Sequence, residues 1–326
     1  MKAIVQHEYG SPDVLAFADV ETPEPAGGEV LVRVHAASVN ARDWHVLRGD
    51  PYIARPSADL GVRRPNVTIR GTDFAGRVEA VGPGVTDVQV GAEVYGEAPR
   101  AFAEYVAVPR DRVAAKPAGL GFEEAAALPL AANTALTGLR DTAKVRPGQQ
   151  VLINGAAGGV GTFAVQIAKV LGATVTAVCS TRNVDLLSSL GADDVVDYTT
   201  SDFSRRDQRY DVILDLVGNR SLTALRRALD RRGTLVLSGG GLYGGGSVFG
   251  PLGLMIRGQL SRPFVPQRVM MFNAVPSKAN LTTLREYAEA GQLTPVIDRT
   301  YPLSAAAEAI RHVEAGHTRG KVVITV

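Results

Sequence analysis

Apolar and polar positions follow two rhythms along the chain, and the change between them falls near residue 122. Before it, the short β-branched runs KAIVQH (2–7), EVLVRVHAASV (29–39), FAGRVEAVG (74–82) and AEYVAVP (103–109) are broken by Gly, Pro and Asp-containing turns. This pattern predicts a compact, mostly antiparallel β unit. FEEAAALPLAANTALTGLR (122–140) then has the Ala and Leu content of a helix, closed by the turn VRPGQQ. From Gln150 onward, the strand candidates QVLING, TVTAVC, DDVVDY, YDVILDLVG and GTLVLSGG are separated by helix candidates. Such alternation predicts a parallel sheet covered by helices on both faces. After the glycine-rich GGGLYGGGSVFG (239–250) comes a short apolar and basic stretch, LGLMIRGQLSRPF, and the two together suit a lid, a subunit contact or a plain surface loop. The remainder reads as helix (NLTTLREYAEAG), extended chain (LTPVIDRTYPL), a helix capped by Ser304 (SAAAEAIRHVEAG) and a final strand (KVVITV). Because this tail resembles the β-rich beginning, the first unit is expected to take back the C-terminus.

The most informative turn is NGAAGGVGTFAVQIAKVLG (154–172). Gly155, Gly158 and Gly161 are spaced by three, a variant of the dinucleotide fingerprint, and Gly159 adds further small volume. Small residues let the backbone approach a pyrophosphate, and the first N–H groups of the following helix supply donors and partial positive charge. Val160, Phe163, Ala164, Ile167, Ala168 and Leu171 fall three and four apart, which predicts one apolar stripe for the sheet. The strand before the turn and the helix after it meet the context that the motif requires. Which dinucleotide depends on the end of the second strand, where a carboxylate would bond the ribose hydroxyl of NAD. This chain offers Ser180, Thr181 and Arg182 there instead, so NADP(H) is expected, with Arg182 reaching the 2'-phosphate.

Composition removes several other partners. Thirty-five Lys and Arg against 33 acidic residues leave a formal charge of +2, no electrostatic case for nucleic acid or an anionic membrane. No apolar run approaches the roughly 18 residues of a membrane span, and the opening residues show no secretory pattern. The lone Cys179 rules out an internal disulfide framework. The expectation is a soluble cytoplasmic protein with a small-molecule partner.

Several segments in order, ASVNARDWHVLRG (37–49), GTDFAGRVEAVGPGV (71–85), the glycine turn, LPLAANTALTGL (128–139), DLVGN (215–219) and RGKVVITV (319–326), make the chain similar to the medium-chain dehydrogenase/reductase superfamily, in its zinc-independent quinone oxidoreductase branch. The resemblance implies an α/β protein. A GroES-like β-rich catalytic domain (1–121 and 273–326) would accompany a Rossmann doubly wound parallel-sheet domain (122–272). It also implies homodimerisation through an edge of the Rossmann sheet. Zinc-dependent relatives place Cys, His and Cys where this chain has Asn40, Thr72 and roughly Leu130, side chains that cannot give zinc its N and S ligands. The structural zinc lobe is reduced to EAPRAFAEY, so no metal is expected. Without a Lewis acid, hydride transfer needs an acceptor that is already electrophilic, such as a quinone or an α,β-unsaturated carbonyl.

By the same resemblance, Asn40 lies beside the nicotinamide and substrate and donates to a carbonyl oxygen. Trp44 would form a flat wall and Tyr52 a pocket hydroxyl. His45 aligns with a proton-relay histidine, although an exposed loop histidine fits as well. Asp43 would order its turn, and Asp73 and Gly76 would support the fold. For the cofactor, the resemblance points to Thr134 at the carboxamide and to Tyr198, with Ser180 and Arg182, at the 2'-phosphate. Val217, Ser238, Gly239, Phe272 and Asn273 would line the nicotinamide half, and Lys321 would reach it from the terminal strand. Two competing readings stand beside the quinone or enone reductase. One is a metal-free carbonyl reductase or alcohol dehydrogenase; the other is an NADPH-binding sensor or structural protein without turnover.

Overall fold

A computed structural model describes residues 1–57, 60–238, 246–250 and 252–326, the side chain of Arg262 excepted. In chain order, the first elements are β1 (Lys2–Val5), β2 (Ala16–Asp19), β3 (Glu29–Val39), α1 (Ala41–Arg48), β4 (Asp73–Val81), β5 (Glu93–Glu97), β6 (Tyr105–Pro109) and β7 (Val113–Ala115). There follow α2 (Phe122–Ala126), α3 (Pro129–Leu136), a π-helical segment (Thr137–Ala143), β8 (Gln150–Asn154), α4 (Gly159–Val170), β9 (Thr174–Cys179), α5 (Val184–Ser189) and β10 (Asp194–Asp197). The rest comprises β11 (Tyr210–Asp215), α6 (Leu222–Ala228), β12 (Leu229–Leu237), α7 (Leu252–Ser261), β13 (Arg268–Met271), α8 (Lys278–Glu289), β14 (Ile297–Pro302), α9 (Ala306–Glu314) and β15 (Lys321–Thr325). None of the helices among the described residues is long and apolar enough to cross a membrane.

Two compact units result. The first holds residues 1–133, 246–248 and 275–326. Its main sheet runs β14-β15-β3-β4-β5-β7, with β6 paired to β3, and only the β14–β15 pair is parallel. β15 lies beside β3, so the C-terminus does return to the N-terminal unit. Val30, Val32, Val34, Phe74, Val78, Val94, Val106 and Val108 form its core, the inward positions of alternating strands. The register matters for chemistry. Asp73, at the start of β4, faces Ser38 of β3 on one side and Glu97 of β5 on the other.

The second unit holds residues 134–238, 249–250 and 252–274. Its six parallel strands are ordered β10-β9-β8-β11-β12-β13. Counted from β8 this is the doubly wound order 3-2-1-4-5-6, whose ligand crevice opens beyond the carboxyl ends of its first and fourth strands. Those strands here are β8 and β11. Leu152, Ile213, Leu235, Val269, Tyr210 and Phe203 pack the core.

The structure departs from the sequence reading in particular places. The expected division before residue 122 and the compact units differ by twelve residues, because α2 packs on β3, β4 and β15 of the first unit. The helix expected over 122–140 is three segments, with Pro129 starting the second, as suits a residue without an N–H at a first turn. Ser304 sits inside a short 3-10 turn (Leu303–Ala305), and Ala305 precedes α9 instead. The stretch after the glycine-rich loop folds as α7, and RVMM (268–271) supplies the sixth strand. From Gly161 to Ala168, α4 is buried on every side, not along one stripe, since it packs on β8, β9 and the π-helical segment.

Candidate active site

In the second unit, the chain leaves β8 through Gly155, whose φ of +85° suits glycine, and α4 starts from Gly158. A Cβ on Gly161 would lie 2.2 Å from the Gly155 carbonyl oxygen and 2.6 Å from Ala156 Cα, so this turn closes only without a side chain there. A Cβ on Gly155 would meet Val217 Cγ2 at 2.5 Å, which places Val217 against the turn. The first N–H groups of α4, from Gly159, Val160 and Gly161, have no acceptors within the helix and suit a diphosphate. Across the crevice, Asp215 ends β11: its Oδ1 accepts from Asn154 Nδ2 (2.8 Å), Val217 N (3.2 Å) and Gly218 N (3.1 Å). Ser238 donates its N–H to Asp215 O at 3.0 Å, so it stands at the same carboxyl edge. These residues fit a dinucleotide.

The next strand end brings Ser180 and Tyr198 together, because Tyr198 N donates to Cys179 O at 2.9 Å. Arg182 follows in an exposed turn, and Tyr198 is 50% exposed. A carboxylate also lies here. Asp197 accepts from Thr181 Oγ1 (2.6 Å), Thr199 N (2.9 Å) and Thr199 Oγ1 (2.8 Å), and these bonds, led by Thr181, hold it below the usual carboxylate range. Thr134 begins this unit; Phe272 packs near Gly138, at 3.1 Å from where its Cβ would be, and Asn273 is exposed. Gly239 lies outside the described residues.

The first unit holds a buried polar cluster at the junction of β3 and α1. Asn40 caps α1, and its N–H donates to Asp43 Oδ2 at 2.7 Å. Its side chain is turned elsewhere: Nδ2 donates to Asp73 Oδ2 (2.9 Å), while Oδ1 accepts from Lys321 Nζ (2.5 Å). Asp73 accepts further from Ser38 Oγ (3.0 Å) and Leu130 N (3.2 Å). Lys321 also donates to Val39 O (3.2 Å) and lies 3.6 Å from Asp73. Next to them, Glu97 Oε1 accepts from Asn133 Nδ2 at 3.1 Å. Burial dominates the titration of the acids: it pushes Asp43 up to about 6 and Glu97 up to about 8, the Asp73 charge adding to both, and it raises Asp73 against the pull of Lys321. It lowers Lys321 in the same way.

Of the other expected site residues, Trp44 is only 3% exposed and its face is covered by the His45 ring at a centroid separation of 3.6 Å, so it is a packed core residue and not an open wall. His45 Nδ1 lies 2.9 Å from Asp50 O; a carbonyl only accepts, so Nδ1 carries a proton and any relay runs through Nε2. Tyr52 is 47% exposed. Its backbone is held by residues just after the glycine-rich stretch, Tyr52 N donating to Ser247 O (3.0 Å) and Ser247 N to Asp50 Oδ1 (2.7 Å). Lys321, expected to reach a cofactor, points its ammonium at Asn40 and Asp73. Asp73 and Asp43, assigned to fold and turn, lie in the same buried cluster as Asn40, and so do Glu97 and Asn133, which the sequence reading did not name. An acid at a strand end was the available signal for both Asp73 and Glu97; Asn133 carried none.

At the positions that the resemblance sets against the zinc ligands, Asn40, Thr72 and roughly Leu130, the chain offers an amide already bonded to Lys321, a hydroxyl and an alkyl group, none of which is the nitrogen or sulfur ligand that zinc takes.

A GroES-like β unit followed by a doubly wound parallel sheet, with a glycine turn at its switch point, is the architecture of the medium-chain dehydrogenases and reductases. Comparison with known proteins agrees: residues 26–118 match the alcohol dehydrogenase GroES-like domain and residues 190–324 the zinc-binding dehydrogenase family. The chain is 36% identical over 341 residues to 2-methylene-furan-3-one reductase of Solanum lycopersicum, covering 99% of this chain and 79% of that protein. It is 34% identical over 339 residues to the chloroplastic NADPH-dependent alkenal/one oxidoreductase of Arabidopsis thaliana, with the same coverage. The crystal structure of Escherichia coli quinone oxidoreductase complexed with NADPH superposes with a TM-score of 0.85 at 27% identity, over 100% of both chains. The chain belongs to the medium-chain dehydrogenase/reductase superfamily, in its quinone oxidoreductase-like branch.

Proposed function

We propose that this protein is a zinc-independent, NADPH-dependent oxidoreductase that reduces quinones or α,β-unsaturated carbonyls. The observation that carries this reading is the Asn40 amide, held between an ammonium and a carboxylate at the position of a zinc ligand. When bound, the reduced nicotinamide supplies the hydride. Reduction places an electron pair on a carbonyl oxygen of the acceptor, and an Asn40 amide N–H would donate to that oxygen. Burial of the cluster raises the value of such a bond, because water does not compete for it. Support for NADPH comes from the E. coli enzyme's complex with it and from the name of the Arabidopsis relative.

Activity is tested by following NADPH oxidation with 1,4-benzoquinone, 9,10-phenanthrenequinone, a 2-alkenal and a simple ketone, with NADH as control. Turnover of the quinones or the alkenal is expected. Turnover of the ketone alone moves the reading to a carbonyl reductase, and tight NADPH binding with no turnover moves it to a sensor. Arg182→Glu is expected to raise KM for NADPH by about 10- to 100-fold, the worth of one charge-assisted hydrogen bond, with NADH kinetics unchanged. An unchanged coenzyme preference removes Arg182 from the site.

The reading extends to a homodimer in the cytoplasm. β13 is the last strand of its sheet among the described residues, and the exposed Ile256, Leu260 and Phe264 nearby in sequence are apolar surface of the kind that association covers. The single, buried Cys179 suits a reducing compartment.

A further inference from the structure

Asn40 has two amide N–H groups and one oxygen, and the structure accounts for two of these three. The oxygen accepts from Lys321 Nζ at 2.5 Å and one N–H serves Asp73 Oδ2 at 2.9 Å. Among the described residues the other finds only Ser38 O at 3.5 Å, the outer limit of a hydrogen bond. Turning the amide over would set its NH2 group against an ammonium and its oxygen against a carboxylate, so the two charges permit one orientation. The charged pair is buried, Lys321 at 2% and Asp73 at 0% exposure, while Asn40 keeps 6%.

We propose that Lys321 and Asp73 are a positioning pair that locks the Asn40 amide and leaves one N–H for the acceptor's carbonyl oxygen. The ammonium also draws electron density from the amide oxygen, which makes that N–H a stronger donor. Lys321 acts through Asn40 and not by touching the substrate. The remaining charges around it, Asp43, Glu97 and Arg42, also act on the cluster electrostatically. The inference rests on the reductase reading given above.

The test compares the wild type, Lys321→Met and the double variant Asp73→Asn/Lys321→Met. The single variant leaves a buried carboxylate without its cation, so its folding is at risk; the double variant is electrically neutral and keeps an acceptor at residue 73. In each, kcat with 1,4-benzoquinone, the Kd of NADPH from its fluorescence, and the melting temperature are measured. Expected is a loss of about 100-fold in kcat in both variants, the usual cost of one misplaced oxyanion donor. NADPH affinity should stay within about threefold, and the double variant should melt close to the wild type. Recovery of kcat in the double variant would show that the pair serves only charge balance in the fold, and overturns the proposal. So does a weakened NADPH affinity with kcat intact, which would make Lys321 a cofactor contact. Absence of turnover in the wild type itself removes the reductase reading, and the proposal with it.

Discussion

Gly161→Ala is expected to weaken NADPH binding by about 100-fold or more, close to 3 kcal/mol at 1.4 kcal/mol per tenfold. The added Cβ would sit 2.2 Å from Gly155 O and 2.6 Å from Ala156 Cα. Both are backbone atoms, so the turn itself must shift, and the N–H groups at the start of α4 lose their aim. Gly158→Ala separates the two ways in which a side chain can interfere. Its Cβ would meet only Gly155 O, at an ordinary 3.6 Å, so the fold should keep its melting temperature. Any loss of affinity in Gly158→Ala therefore reports directly on the ligand, whereas Gly161→Ala should lose affinity and thermal stability together. Titration of NADPH fluorescence with parallel thermal melts decides this, and a Kd within about threefold of wild type for Gly161→Ala would remove the turn from the binding site.

The second large effect is on stability against pH. Glu97 is 3% exposed, and its pKa stands at about 8 because burial disfavours its charged form and the neighbouring Asp73 adds to this. An acid whose folded pKa exceeds its unfolded value binds its proton more tightly in the folded state. Stability is then greatest below the unfolded value of 4.5 and falls as pH rises toward 8, beyond which the full cost of a buried charge is present. Asp43, raised to about 6 by burial, slopes the same way between its ordinary value of 3.8 and 6. Glu97→Gln keeps an acceptor for Asn133 Nδ2 but has no charge to bury. Its melting temperature should match wild type near pH 5 and exceed it by several degrees at pH 9, since each pKa unit is worth about 1.4 kcal/mol. Parallel melting curves for the two proteins from pH 5 to pH 9 would show that Glu97 titrates normally.

Elements whose pattern is local were legible from residue order. The β-branched runs became β1, β3, β4 and β6, and the strand candidates from Gln150 onward became β8 to β12. The spacing of Gly155, Gly158 and Gly161 pointed to a strand-to-helix turn. Where packing intervened, local pattern was a poorer guide. The helix expected over 122–140 breaks at Pro129, and α4 is buried all round because a π-helical segment covers a second face.

What the sequence by itself determined is the change from a β-rich stretch to alternating strands and helices, and the glycine turn with its demand for small residues. These depend on residue type and spacing. The tertiary structure alone decided which side chains face one another. Register between β3, β4 and β5 sets Asp73 between Ser38 and Glu97, and the return of β15 beside β3 brings Lys321, 281 residues distant in sequence, onto the amide oxygen of Asn40. The desolvation that shifts these acids and fixes that amide exists only once the strands have closed over them. No spacing along the chain encodes it.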